Sequence, residues 1–248
     1  PILNLNLKSK PLVVVEASSF QLAYSKFVKP DFALVLNITN DHLDWHGNFK
    51  NYVESKLKIF SLQDQNDYAF LNDNKLNKKF KLKKFKSKLK FIDIKNYRKI
   101  KNKIQNNYLN LKINEENMSF VYALSKILKI SDGSFVKSLK TFKGLQHRHE
   151  VFYRKKNKIF INDSKATSFQ ATKFALESNR NILWLVGGLP KIGDKFKLKN
   201  LKENIIKTYI IGKHLKKFKN ELSGDVKFEV SKTLKKAVNS IFKDMKEI

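Results

Sequence analysis

The sequence contains no cysteine, and glycine and proline are scarce, with 8 and 4 among 248 residues. The first absence excludes disulfides, thiolate metal sites and cysteine nucleophiles, and it fits a reducing compartment. The low glycine and proline content argues against a disordered, low-complexity chain. No apolar run approaches the roughly 20 residues that a membrane span needs, and no signal-peptide pattern precedes the first predicted strand. The sequence therefore predicts a cytoplasmic protein without membrane insertion.

Arginine is also scarce, although the chain is strongly basic. The formal net charge is +29, yet only four of the 51 basic residues are arginine. Base and phosphate recognition favours the bidentate arginine fork, and richness in Lys, Asn, Ile and Phe is typical of proteins from AT-rich genomes. Residues 74–103 carry fourteen Lys or Arg against the single Asp93, which gives +13 of the total. We predict a solvated basic surface and no specific nucleic-acid partner, with a polyanion contact at residues 74–103 as the alternative.

Short apolar runs alternate with segments of helical spacing along most of the chain. This alternation predicts an α/β fold with parallel sheets and right-handed crossovers. The predicted strands are residues 12–15, 32–36, 67–71, 89–94, 108–113, 151–154, 158–161, 182–186, 208–212 and 226–230. The segments 117–130 and 198–206 are predicted helices. The segment 144–150, GLQHRHE, is the predicted hinge between domains 1–143 and 144–248.

Two predicted strands in the first half end in polar residues. Glu16 follows strand 12–15, and strand 32–36 breaks into a stretch that contains His42 and His46. Ligands of α/β sheets bind in the crevice outside the carboxyl ends of the strands, so these side chains stand where a metal ligand or a base is expected. The alternatives are a serine capping turn with an incidental Glu16 and, after strand 32–36, a polar turn with a helix cap.

Lys56 lies on a predicted helix, residues 49–60, on or beside its apolar face. A buried lysine loses its proton easily. The neutral amine can react with carbon dioxide to form a carbamate, which is a carboxylate on a long arm and a possible metal ligand. The alternative is a surface lysine on an amphipathic helix.

A similar arrangement recurs in the second half. Strand 158–161 leads into a polar stretch with Asp163, Lys165 and Thr167, and a helix follows. Backbone N–H groups and a lysine at the start of a helix suit phosphate, whereas a capping turn is the alternative. A Gly-Gly turn after the next strand leads to Lys191, which could meet a carboxylate.

Five motifs carry a resemblance to a known family: EASSFQL, LNITNDHLDWHGNFKNYVESK, GLQHRHE, INDSKAT and GGLPK, in this order and with these gaps. The chain resembles the Mur ligases of peptidoglycan synthesis over nearly its whole length, apart from the Lys-rich stretch. The SSFQL and NDSKAT segments point to the member that adds D-glutamate to UDP-N-acetylmuramoyl-L-alanine. Sister Mur ligases and folylpolyglutamate synthase share the overall plan and remain alternatives, as does a non-catalytic, basic polyanion-binding module.

The resemblance implies an ATP-dependent amide ligase. The substrate carboxylate attacks the γ-phosphate of ATP, and the amine of D-glutamate then displaces phosphate from the acyl phosphate. It implies that residues 1–143 are the C-terminal portion of a central ATP-binding domain and that residues 144–248 form a Rossmann-like C-terminal domain. A monomer, ATP and two Mg²⁺ ions are implied as well. Negative charge accumulates on the phosphoryl oxygens during the transfer. Positioning of the reactants and electrostatic stabilisation should therefore supply most of the catalysis.

The same resemblance assigns the site residues of the first domain. Glu16, His42 and Lys56 are implied metal ligands, with a carbamylated Lys56 completing the second magnesium site. Because Mg²⁺ prefers oxygen ligands, the carbamate fits this role better than the His42 imidazole. Asn114 is implied to contact adenine.

In the second domain, the resemblance places Arg148 near the ATP phosphates and Asp163 on the ribose. Lys165 and Thr167 are implied to face the acyl acceptor, and Lys191 to pair with a carboxylate of D-glutamate. The implied catalytic residues are His42, Lys56 and Lys165.

The sequence departs from the family pattern in two places. Asn114 and Asn117 match the two asparagines of an HNxxN motif, but Ile113 stands where that motif has its histidine. No G-x-x-G-K-[ST] phosphate-binding loop occurs in the 248 residues. We therefore expect an internal fragment that is inactive by itself.

Overall fold

The computed structural model of the chain describes residues 12–38, 41–72, 84–190 and 194–246. The chain forms two compact units, Pro1–Thr141 and Phe142–Ile248. The division lies two residues before the domain boundary that the sequence predicts. Each unit contains a parallel sheet with helices, so the predicted α/β class is confirmed.

The sheet of the first unit has three parallel strands in the order β1-β2-β3. These strands are β1 (Phe32–Val35), β2 (Tyr68–Asn72) and β3 (Lys88–Ile92). The central strand β2 is buried at Ala69, Phe70 and Leu71, as expected for a strand with neighbours on both edges and helices on its faces. Parallel pairing places the carboxyl ends of all three strands at one edge of the sheet.

The helices of the first unit are α1 (Ser19–Tyr24), α2 (Leu43–His46), α3 (Phe49–Leu57), α4 (Ile94–Lys101), α5 (Lys112–Ile127) and α6 (Asp132–Leu139), with a 3₁₀ turn at Lys58–Phe60. Val53 and Phe60 are fully buried and pack α3 and the 3₁₀ turn against the first two strands. The carboxyl half of α3 is therefore fixed beside the sheet. None of the described helices has the length and apolar character that crossing a membrane requires.

The second unit begins with an antiparallel hairpin and continues with a parallel sheet in the order β6-β7-β8. Its strands are β4 (Glu150–Lys155), β5 (Lys158–Asn162), β6 (Ile182–Gly187), β7 (Ile205–Ile211) and β8 (Phe228–Lys232). Its helices are α7 (Phe169–Ser178), α8 (Leu215–Leu222) and α9 (Leu234–Asp244), with a 3₁₀ segment at Lys199–Asn204. Glycine is needed where β6 ends, because a Cβ at Gly187 would lie 2.7 Å from Cγ1 of Ile211.

Three predicted elements are wrong. Residues 12–15 form no strand among the described residues, and Leu12 and Val14 are 78% and 90% exposed. β-branched residues favour a half-buried, paired surface rather than an isolated extended segment. Residues 198–206 contain a 3₁₀ segment instead of a helix, because Ile205 already pairs with Ile182 in the sheet.

The strand predicted at residues 108–113 is a turn followed by the start of α5. Asparagine side chains hold this turn. Asn106 Oδ1 accepts from the N–H of Leu109 at 3.0 Å, and Asn110 Nδ2 donates to the carbonyl of Ile104 at 2.7 Å. Such local hydrogen bonds compete with strand pairing, which the apolar spacing alone does not reveal.

An ion pair joins α4 to α5. The buried carboxylate of Glu115 accepts hydrogen bonds from Arg98 Nε at 2.9 Å and Arg98 Nη2 at 3.0 Å, and Lys101 Nζ lies 3.4 Å away. The hydrogen bond from Arg98 holds the pKa of Glu115 below its usual range, against the opposing effect of burial, and the Lys101 charge adds to it. The native state therefore favours the ionised carboxylate.

Replacing Glu115 with glutamine should make the stability of the first unit less dependent on acid pH. Because the folded pKa is depressed, the stabilisation is present above the unfolded value of about 4.3 and is lost as pH falls through the folded value. In urea unfolding, Glu115→Gln should be less stable than the wild type at pH 7. The difference between their free energies of unfolding should become smaller toward pH 3. The exposed Glu54→Gln variant is the control, and a gap independent of pH would contradict the prediction.

Candidate active site

Lys56 lies at the carboxyl edge of the first sheet, near the end of α3. As the helical spacing predicts, its side chain is half-buried, and its Nζ donates to the carbonyl of Asn37 at 2.9 Å. The same Nζ lies 5.1 Å from the ring centroid of the buried Tyr52. Asn37 follows β1 by two residues, so this hydrogen bond anchors the lysine at the strand end.

The environment of Lys56 lowers the pKa of its amine. Burial lowers the pKa of Lys56, and the negative charge of Asp41 opposes this only in part. A lower pKa increases the fraction of unprotonated amine, the form that reacts with carbon dioxide. Once carbamylated, Lys56 would present oxygen atoms, the ligand type that Mg²⁺ prefers. With Lys56 carbamylated, the donor chemistry at this edge would fit a magnesium ion.

His42 stands between Asp41 and the aromatic side chain of Phe20. Asp41 Oδ1 accepts from the N–H of His42 at 3.0 Å, and Asp41 Oδ2 lies 3.5 Å from His42 Nε2. The rings of Phe20 and His42 meet edge to face, with centroids 4.7 Å apart. His42 has φ of 53°, a left-handed conformation that is uncommon for residues other than glycine and is concentrated at functional sites. Since Asp41 also acts on the Lys56 ammonium, His42 and Lys56 share one electrostatic environment.

Glu16 precedes α1 by three residues and is exposed. The capping turn that the sequence offers as an alternative is present at its neighbour, Ser18. Ser18 Oγ accepts from the N–H of Gln21 at 3.3 Å, while Gln21 Oε1 accepts from the N–H of Ser18 at 2.8 Å. Within the described ranges, Glu16 has no hydrogen bond or ion pair, and no three His, Asp or Glu side chains are grouped to hold a metal ion.

A second carboxyl group at this edge was missed by the sequence analysis. Asn72, the last residue of β2, donates from Nδ2 to the carbonyl of Leu36 at 2.6 Å and to Oε1 of Glu116 on α5. Burial raises the pKa of Glu116. The one sequence feature that could have pointed to Glu116 is Asn72, which ends an apolar strand. That pattern is too common to identify a site residue.

In the second unit, the segment 144–150 is held by the polar stretch that follows β5. The N–H of Lys165 donates to the carbonyl of His147 at 3.0 Å, and Asn162 Nδ2 lies 2.8 Å from His147 Nδ1. Glu150 Oε2 accepts from the N–H of His147 at 2.8 Å. The structure thus brings together two motifs that the sequence separates, GLQHRHE and INDSKAT.

Arg148 is exposed between two residues of left-handed conformation, His147 with φ of 63° and His149 with φ of 46°. The N–H of His149 donates to Asp163 Oδ1 at 2.9 Å. Burial raises the pKa of Asp163, while this hydrogen bond and the positive charge of Arg148 lower it. Backbone strain around an exposed arginine is typical of a site that binds a ligand.

The family model for the Mur ligase middle domain matches residues 2–140, which is more than half of the chain. The chain belongs to the Mur ligase family. This result confirms the resemblance that the five motifs carry. The matched range corresponds to the first unit.

Similar full-length Mur ligases support the same assignment. A UDP-N-acetylmuramoylalanine–D-glutamate ligase from Rickettsia prowazekii is 33% identical over 93% of this chain and 56% of its own length. The ligase of that name from Fusobacterium nucleatum subsp. nucleatum is 36% identical over 87% of this chain and 54% of its own. The chain thus spans a little over half the length of the curated relatives it matches.

Solved Mur ligase structures have the same fold. MurF from Acinetobacter baumannii superposes with a TM-score of 0.64 at 14% identity, over 89% of this chain and 54% of that one. MurF from Thermotoga maritima, solved in complex with ADP, gives 0.60 at 14% identity, over 88% of this chain and 55% of its own. At this identity the match shows the fold.

The remaining predicted residues of this Mur ligase chain differ in their surroundings. Lys165 and Thr167 are exposed. Asn114 Nδ2 donates to the carbonyl of Tyr108 at 2.7 Å and so supports the turn before α5, a contact that the sequence did not predict. Lys191 lies outside the described residues.

Proposed function

We propose that this chain supplies the metal-binding and acceptor-binding parts of a Mur ligase that joins D-glutamate to UDP-N-acetylmuramoyl-L-alanine with ATP. The observation that carries the proposal is the half-buried amine of Lys56 at the carboxyl edge of a parallel sheet. The match to D-glutamate ligases across 93% of the chain, at 33% identity, supports the choice of substrates. We further propose that the enzyme acts as a cytoplasmic monomer.

The first unit has the role of holding magnesium. Glu16, His42 and a carbamylated Lys56 would be its ligands, and the carboxylate of Asp41 lies 3.5 Å from the His42 imidazole. Bound Mg²⁺ supplies neutralisation of charge on the phosphoryl oxygens. Asn114 has the role of contacting adenine.

The second unit has the role of binding the phosphates, the ribose and the acceptor. Arg148 carries a planar guanidinium fork suited to phosphate oxygens, and Asp163 offers a carboxylate to ribose hydroxyls. Lys165, Thr167 and Lys191 are the proposed contacts to the acyl acceptor, with Lys191 paired to a carboxylate of D-glutamate.

The reaction proceeds in two displacements. A carboxylate oxygen of UDP-N-acetylmuramoyl-L-alanine bonds to the γ-phosphorus as the bond to the β-bridging oxygen breaks, which gives an acyl phosphate and ADP. The amine nitrogen of D-glutamate then bonds to the acyl carbon and loses a proton, and inorganic phosphate leaves. Fixed cations matter most in the first step, since negative charge is spread over the transferred group.

D-glutamate-dependent phosphate release tests the proposal. The 248-residue chain contains no G-x-x-G-K-[ST] loop to cradle the phosphates, so we expect no release from it alone. A longer gene product that joins this chain to such a loop should release phosphate when given ATP, Mg²⁺, UDP-N-acetylmuramoyl-L-alanine and D-glutamate.

L-glutamate and other acceptors provide the control, because a sister Mur ligase would prefer a different amine. Release that is equal without D-glutamate, or release from the 248-residue chain alone, would contradict the proposal.

A further inference from the structure

His46, the last residue of α2, is buried and has a polar partner on each side. Its Nε2 lies 2.9 Å from Oγ of Ser19, the first residue of α1, and its Nδ1 lies 3.4 Å from Oγ of Ser55 on α3. Only 6% of the residue is exposed. One imidazole therefore links three helices.

The hydrogen-bond pattern selects one tautomer of His46. Ser55 Oγ donates its proton to the carbonyl of Asn51 at 2.8 Å, so toward Nδ1 it can only accept. Nδ1 must then carry the proton, and Nε2 accepts from the Ser19 hydroxyl. Burial lowers the pKa of His46.

Aromatic side chains enclose the ring and fix its orientation. Phe20 stacks on His46 with centroids 5.6 Å apart, and Trp45 and Tyr52 meet it edge to face at 4.5 Å and 5.3 Å. In addition, Asn51 Nδ2 donates to the His46 carbonyl at 3.0 Å. The residue is thus held by both its side chain and its backbone.

The three linked helices carry or directly follow the segments with the proposed magnesium ligands. Ser19 follows Glu16 by three residues, α2 begins directly after His42, and Ser55 precedes Lys56. A shift of any one helix would change the spacing between these ligands. Partners behind a ligand shell commonly alter metal affinity or activity 10- to 100-fold when removed.

We propose that His46, as the neutral Nδ1–H tautomer, is the positioning residue that sets the spacing of the segments carrying Glu16, His42 and Lys56. The ligand roles of these three residues rest on the proposed function, whereas the tautomer and the link between helices do not. His46 acts through the serines and has no contact with substrate in this role.

The tautomer is tested first, on the 248-residue chain labelled with ¹⁵N at histidine. Long-range ¹H–¹⁵N spectra should show a protonated Nδ1 and an unprotonated Nε2 for His46 at neutral pH, and Ser19→Ala should shift the Nε2 resonance. A His46 ring with its proton on Nε2 would overturn the inference, whatever the activity of the enzyme.

The positioning role is tested in the longer, loop-containing enzyme with His46→Phe, which keeps an aromatic ring and loses both hydrogen bonds. We expect the Mg²⁺ concentration for half-maximal activity to rise about 10- to 100-fold, with the circular dichroism spectrum unchanged. The exposed His214→Phe is the matched control and should keep the wild-type Mg²⁺ requirement.

If His46→Phe does not fold, Ser19→Ala and Ser55→Ala each remove one hydrogen bond to His46 and should raise the Mg²⁺ requirement in the same direction. A lowered melting temperature with the wild-type Mg²⁺ requirement would overturn the inference and leave a structural role only. A wild-type enzyme without D-glutamate-dependent release would instead refute the proposed function, and the tautomer measurement would still decide whether His46 links the helices.

Discussion

Replacing Lys56 with alanine should reduce D-glutamate-dependent phosphate release by the loop-containing enzyme about 10²- to 10³-fold, the range seen when one preorganised electrostatic group is removed from an active site. Alanine removes both the amine, whose pKa burial lowers, and its hydrogen bond to the carbonyl of Asn37. No carbamate can then form. The exposed Lys50→Ala variant, on the same helix, should retain wild-type activity.

Short carboxylic acids should restore part of the activity of Lys56→Ala. Acetate or formate can occupy the space that the side chain leaves and supply the missing oxygen ligand. The measurement is the initial rate of phosphate release against added acid, compared with chloride at the same ionic strength. Failure of every such acid, in a variant that folds normally, would count against the carbamate and leave Lys56 as a simple cation.

Replacing Asp163 with alanine should raise the KM for ATP about 10- to 150-fold, as expected when a hydrogen bond to a charged group of roughly 1.5–3 kcal/mol is lost. The carboxylate has two roles in this proposal, one toward the ribose and one toward the N–H of His149. Alanine removes both, so the backbone that presents Arg148 loses a support. Steady-state kinetics with varied ATP measure the change.

Asparagine at position 163 separates the two roles. Asp163→Asn keeps an acceptor for the N–H of His149 and removes the charge, so its melting temperature should stay near that of the wild type while its KM for ATP rises. The exposed Asp225→Ala is the control for loss of a carboxylate in the same unit. An unchanged KM in Asp163→Ala would remove this residue from the ATP site.

The alternation of apolar runs and helices was enough to predict the α/β class, and the run 32–36 lies over the observed strand Phe32–Val35. Periodicity predicts burial, and it placed Lys56 on or beside the apolar face of α3. It failed at residues 108–113, where the asparagine side chains that hold the turn have no periodic signature. Strand propensity also failed at residues 12–15, since a strand requires a partner.

The hydrogen bonds that hold the candidate site residues in place could not be predicted from the sequence. His46 was recognised as one of several polar residues, yet its role depends on Ser19 and Ser55, which lie 27 and 9 residues away in the chain. In the same way, the left-handed backbone on both sides of Arg148 arises from contacts with the stretch after β5. Such contacts exist only after the chain has folded.

The lysines on the outer strand β3 have a structural effect that does not depend on any ligand. Within the described part of the first sheet, β3 pairs only with β2, and it presents the exposed Lys88 and Lys90 along its length. Repulsion between such charges opposes the docking of a second edge from another molecule. Neutral residues at these two positions would leave an uncharged strand edge beside the exposed Phe91. The protein would then self-associate at high concentration.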